Sequence, residues 1–142
     1  MNIDDKLIKA CENEDLSTVK ECLEQGANIH AWNDSALRLA AENGHLETIK
    51  YLIKQGANIH ASDDGALRWA ANSGHLDIVK YLIEQGANVN ALGGLALRWA
   101  KEEGHSKIVE YLRNYIKTRR SSKSKPTVSF IDIKEFKVRK VD

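Results

Sequence analysis

Apolar residues recur along this chain at helical spacing, in a block that is itself repeated. From Leu37 the stretch LRLAAENGHLETIKYLIKQGAN places Leu37, Ala40 and Ala41 on one side of a first helix and Ile49, Leu52 and Ile53 on one side of a second. The block returns after 30 residues as LRWAANSGHLDIVKYLIEQGAN from Leu67, and again as LRWAKEEGHSKIVEYLRNYIKT from Leu97. Each copy is predicted to hold two short helices, in the first copy from about Ser35 to Asn43 and from about Leu46 to Gln55. Gly44, Gly74 and Gly104 follow the first helix, and Gly26, Gly56 and Gly86 follow the second. Both sets stand where a helix closes on a residue of positive φ, which glycine adopts without steric cost. A fixed period of this size indicates stacked supersecondary units that share one core.

The flanks change the pattern. Asp5 to Gln25 aligns with the copies at Leu7, Ala10, Leu16, Val19 and Leu23 but has Glu14 and Asp15 in place of Gly-His, so it reads as a divergent capping unit with Lys6, Lys9, Glu12 and Glu21 facing water. Asp34 and Asp64 precede the first helix of their copies and are expected to cap its free amides, a task for which Gly94 is poorer. The last copy loses Gly-Ala-Asn and has Arg113 in place of an apolar residue, so its second helix is expected to run on through Tyr115 and Ile116 as the closing cap. Residues 119–127, RRSSKSKPT, are polar and contain the only proline, as in a solvated linker. Residues 128–142 are rich in β-branched and aromatic side chains, which favours a short strand or an irregular hairpin.

The block ALRLAAENGHLETIKYLIKQGANIHA resembles the ankyrin repeat family, whose pattern combines TPLHxAA, GH, a V/I-V-x-x-L-L helix and a GA-x-x-N ending. The resemblance covers about Asp4 to Ile116 and implies an all-α ankyrin-repeat solenoid of about four helix-turn-helix repeats, near 4–33, 34–63, 64–93 and 94–118, in a domain spanning 1–118. Two departures stand out. The family's period is about 33 residues, whereas the spacing here is 30, with the missing residues between Ala31 and Leu37 and at the equivalent places, so the β-turn fingers are expected to be short. The Thr-Pro-Leu-His block reads Ser-Ala-Leu-Arg, Gly-Ala-Leu-Arg and Leu-Ala-Leu-Arg from Ser35, Gly65 and Leu95. Shortened repeats of this kind resemble those of ankyrin proteins of giant DNA viruses, which makes a viral or intracellular-bacterial source plausible.

Charge divides the chain. Met1 to Leu112 carries 11 Lys and Arg against 17 Asp and Glu, and Arg113 to Asp142 carries 10 against 3, the arrangement of an acidic body with a basic interaction tail. No apolar run reaches the about 20 residues that span a bilayer, and the start MNIDDKLIK has no hydrophobic signal region, so a cytoplasmic location is expected, with nuclear entry open to the basic tail. Cys11 and Cys22 fall on helical core positions and read as buried reduced thiols.

Candidate chemistry follows the repeat. His45, His75 and His105 hold the Gly-His position and His30 and His60 the turn, at spacings that gather no zinc ligand set, so all five read as structural and no metal or cofactor is expected. No nucleophile elbow or phosphate-binding glycine loop is present, and no catalytic residue is assigned. Arg38, Arg68 and Arg98 form a ladder that either orders the turns, through backbone carbonyls or Asp34, Asp63 and Asp64, or binds anions. Tyr51, Tyr81 and Tyr111 read as the edge of the helix packing. Trp69 and Trp99, aligned with Leu39, either pack between repeats or serve as anchors on the concave face that ankyrin proteins commonly use, and Trp32 sits in a turn where the core has no claim on it. The expected partner surface is therefore Trp32, Leu39, Glu42, Trp69, Asn72, Ser73, Trp99, Glu102 and Glu103, with a tail contact through Arg119, Arg120, Lys123, Lys125, Phe130, Ile133, Phe136 and Val138. A protein partner, inhibited or sequestered, is the first expectation. Nucleic acid or an anionic surface bound by the tail is the second, and self-association through the C-terminal strand the third.

Overall fold

The computed structural model describes residues 2–124, with side chains as far as residue 120. The described residues form α1 (Ile3–Glu12), α2 (Leu16–Glu24), α3 (Ala31–Glu42), α4 (Leu46–Lys54), α5 (Ala61–Ser73), α6 (Leu76–Glu84), α7 (Ala91–Glu102) and α8 (Ser106–Ser124), with no strand among them. The described residues divide between a compact unit that ends at Leu112 and a second unit that begins at Arg113.

Within the first unit the odd-numbered helices pack side by side, α1 on α3, α3 on α5 and α5 on α7, and each of the first three also packs on the even-numbered helix that follows it. Alanine allows that approach. Ala10, Ala36, Ala40, Ala41, Ala66, Ala70, Ala71, Ala96 and Ala100 are all buried, so neighbouring odd helices meet over methyl groups. The larger core residues lie between layers, where Leu7, Leu37, Leu67, Val19, Ile49, Leu52, Ile78, Leu82, Ile108 and Leu112 are buried almost completely. Burying one such side chain stabilises by about 1.5 to 3 kcal/mol, and because each unit contacts only its neighbours these contributions sum along the stack.

The glycines close the helices as their spacing predicts. Gly26, Gly56 and Gly86 have φ of 94, 102 and 104°, and the residue after each donates its amide back to the last turn, as in Ala57 N to Leu52 O at 3.0 Å. Gly44 and Gly74 face a second demand: a Cβ would lie 2.8 Å from His75 and 2.7 Å from His105 respectively. In the first unit Glu14 takes this left-handed conformation with φ of 61°. Asp15 beside it caps α2, accepting from the Thr18 hydroxyl at 2.6 Å and the Thr18 amide at 3.1 Å. Those hydrogen bonds, the hydroxyl's first, hold its carboxyl below the usual aspartate range.

The shortened turns depart from expectation. Trp32, Asn33 and Asp34 have φ of 57, 55 and 57°, a single left-handed turn inside α3, so the right-handed helix begins only at Ser35. Ser62, Asp63 and Asp64 repeat it, and Leu92, Gly93 and Gly94 repeat it with two glycines. Asp34 and Asp64 therefore do not cap their helices, because an N-cap needs an extended backbone that the left-handed turn denies. Their carboxylates instead bind the next turn: Asp34 accepts from the Asn58 amide at 2.7 Å, Asp64 from the Asn88 amide at 2.7 Å, and Asp4 likewise from Asn28 at 2.7 Å.

The final helix also runs further than its sequence predicts. α8 passes Tyr115 and Ile116 and continues to Ser124, through the start of the stretch expected to be a linker. The tail expected to be strand-like, residues 128–142, lies outside the described residues.

Candidate functional site

The site builds on residues that follow the Leu-Arg step of the odd-numbered helices. Leu37 and Leu67 are buried and Leu97 half-buried, and two residues later Leu39, Trp69 and Trp99 fall at the edge of the same face and are half-buried. The Trp69 and Trp99 rings meet with centroids 5.0 Å apart and planes at 55°. Tilted contact of this kind favours ring edge on ring face. The Arg68 guanidinium lies over the Trp99 ring at 5.3 Å.

The arginine ladder splits into three fates. Arg38 donates to Ser35 Oγ at 3.2 Å and to Glu42 Oε1 at 3.5 Å. Arg68 folds back on its own turn, donating to the Asp63 carbonyl at 3.0 Å and the Ser62 carbonyl at 2.7 Å. Arg98 is exposed and makes no hydrogen bond or ion pair among the described residues. Turn ordering by arginine is thus seen for Arg68, through carbonyl oxygens rather than aspartate side chains, whereas Arg38 bonds within its own helix.

The histidines are engaged in the scaffold. His45, His75 and His105 place Nε2 at 2.8, 3.0 and 2.8 Å from the carbonyls of Glu12, Glu42 and Asn72 in the preceding unit. His30 and His60 place Nδ1 at 3.0 Å from the Asp34 and Asp64 carboxylates. No group of three His, Cys, Asp or Glu side chains able to hold a metal occurs among the described residues.

Of the residues expected on the partner surface, Trp69 and Trp99 are brought into contact. Glu42, Asn72 and Ser73 are half-buried, and the Glu42 carboxylate is occupied by Arg38. Glu102 and Glu103 are exposed. Trp32 stands apart from the pair on the left-handed turn, 73% exposed, and Leu92 holds the same position two units later at 51%. Arg119 and Arg120 are exposed on α8, where Arg119 lies 5.6 Å from the Tyr115 ring. Lys123 is in α8, and Lys125, Phe130, Ile133, Phe136 and Val138 lie outside the described residues.

Sequence reading missed one regular feature. Lys20, Lys50 and Lys80 each lie over the tyrosine of the following unit, Tyr51, Tyr81 and Tyr111, at 5.4, 5.7 and 5.5 Å. The signal is a lysine immediately before each tyrosine position, one unit earlier, and it assigns the tyrosine stripe to joining units. With those rings and the histidines engaged in the scaffold, the Trp69–Trp99 pair and its arginines remain as the part of the stack with chemistry to offer.

Comparison with known families agrees with the geometry. A family model for ankyrin repeats matches residues 5–63 and again residues 62–122. A comparison with curated proteins returned no match.

Proposed function

The chain belongs to the ankyrin-repeat family, and from that premise we propose that it is a non-catalytic docking module that binds a protein through the exposed edge of its odd-numbered helices. Ankyrin repeats are protein–protein interaction modules, and the observation that carries the reading here is the half-buried Trp69–Trp99 pair. Leu39 fills the same place in the second unit and Lys9 in the first, so stacking does not require tryptophan there. Two adjacent indoles with a guanidinium on one of them are the residue types that dominate binding energy at interfaces. Glu42, Asn72, Ser73, Glu102 and Glu103 supply a polar rim, Trp32 a second apolar contact, and residues beyond 118 a further one. Binding inhibits or sequesters the partner, a host protein where the source is a virus or an intracellular bacterium, in the cytoplasm or nucleus. No helix among the described residues is long and apolar enough to cross a membrane.

The test uses Trp69→Leu and Trp99→Leu, which copy the second unit and keep the fold. Affinity capture from lysate with the full chain should recover a partner that both variants lose while their melting temperatures stay close to the parent. Variants that capture the same proteins as the parent would remove the reading.

A second reading, phosphate binding by the basic end, is favoured by Lys117, Arg119 and Arg120, which are all exposed on α8. Neutralising several phosphates predicts affinity for a nucleic acid or an anionic vesicle that falls steeply with salt, and no binding at low salt would dismiss it. Self-association through residues 127–141 is a third arrangement, excluded if light scattering finds a monomer with and without them.

A further inference from the structure

The three arginines of the ladder occupy equivalent positions, yet only one of them is available. The residue three before each arginine differs among the units. Ser35 offers Arg38 a hydroxyl at 3.2 Å. Gly65 has no side chain, and a Cβ there would meet Ser62 Cβ, Arg38 Cδ and Arg68 Nη2 at 3.4, 3.6 and 3.7 Å, ordinary contact distances, where Arg68 folds back onto the turn carbonyls. In the fourth unit that place belongs to Leu95, which has no hydroxyl to offer, and Arg98 is exposed. Nor does Glu102 take it, although Arg38 and Glu42 at the same spacing pair at 3.5 Å. The turn beside Arg98 is apolar as well, since Leu92, Gly93, Gly94 and Leu95 replace the Asp-containing sequences of the two preceding turns.

We propose that Arg98, with Leu92, Leu95 and the Trp69–Trp99 pair, receives a segment of the protein partner that carries an aspartate or glutamate beside apolar side chains. This rests on the docking reading above and names the chemistry of what docks. An unpaired guanidinium presents a planar fork that matches a carboxylate with two parallel hydrogen bonds, and neighbouring apolar surface strengthens that pair by excluding water. Glu102 and Glu103 carry opposite charge, but they stand at the far end of α7, with Glu102 about 6 Å along the axis at 1.5 Å per residue. A carboxylate in direct contact with Arg98 gains more than it loses to a solvated charge at that distance.

Selection of a random 12-residue displayed peptide library on the immobilised full chain tests this directly. The expected winners carry Asp or Glu next to Leu, Ile or Phe. Synthetic copies should lose about tenfold or more in affinity on Arg98→Gln, a loss in the range of a charge-assisted pair. They should lose several-fold on Leu95→Ser, which changes no charge but gives Arg98 the hydroxyl that captures Arg38. Both variants should melt as the parent does. Winners rich in Lys or Arg, or acidic winners indifferent to Arg98→Gln, would overturn the inference while loss on Trp69→Leu and Trp99→Leu still upheld the docking reading. Winners indifferent to all these substitutions, or no enrichment, would count against both.

Discussion

Thr48 shows how a single atom departs from the pattern around it. Its side chain is buried, and Oγ1 has no hydrogen-bond partner. The equivalent residues in the next two units are Ile78 and Ile108, both buried, so the stack wants a methyl group at this place and not a hydroxyl. An unpaired buried hydroxyl costs about 1 to 3 kcal/mol. Thr48→Val keeps the branched shape, and it should raise unfolding free energy by about 1 kcal/mol in urea titration. No change, or a decrease, would mean that the hydroxyl is satisfied by water. Glu14 is the backbone counterpart, a residue with a side chain in a conformation that its fellows Gly44, Gly74 and Gly104 adopt freely.

At the level of elements, the helices and their glycine closures are legible in the sequence because both are local: apolar spacing sets the buried face, and positive φ selects glycine. The turns are not legible in the same way. Removing residues from the finger leaves a gap that the chain closes with three left-handed residues; the last two are Asn33-Asp34, Asp63-Asp64 and Gly93-Gly94, the types that tolerate this backbone best, so the signal is present but is shared with ordinary caps and turns. Asp34 and Asp64 carry the N-cap signature, yet their bonds run to a turn 24 residues away. The site is legible to the same depth. The tryptophans can be aligned on one helix face from the repeat alone, but that Arg38 and Arg68 are engaged while Arg98 is not comes from contacts that the spacing does not announce. The bond from Asp64 to Asn88 joins successive turns, so Asp64→Ala should cost about 2 kcal/mol, the worth of a hydrogen bond to a charged group. The exposed neighbour change Asp63→Ala should cost clearly less, and equal losses in thermal melts would refute the assignment.

At the largest scale, Met1–Leu112 is a row of repeats that differ in how many neighbours hold them. α1 packs on α2 and on α3, with nothing on its other side among the described residues, so the first unit opens more readily than the third. Its two thiols report that opening. Burial pushes the Cys11 thiol up to about 12, helped by the charge of Cys22, and burial raises Cys22 as well. Neither should react with a maleimide at neutral pH while the unit is closed, and the slow labelling that occurs should depend on denaturant less steeply than global unfolding does. Rapid labelling of either cysteine in the native state would show the unit to be open already. The ladder of bonds between units has a further consequence at its two ends. Gly94 has no carboxylate to receive an amide from a following turn, and Asp15 stands where the other units have the histidine that reaches back to a carbonyl. A second copy laid against α7 would bring the Asp15 carboxylate, an acceptor, towards the Glu102 carbonyl, another acceptor. The chain thus carries the rules for lengthening a stack in its middle and withholds them at both faces where copies would otherwise polymerise into a filament.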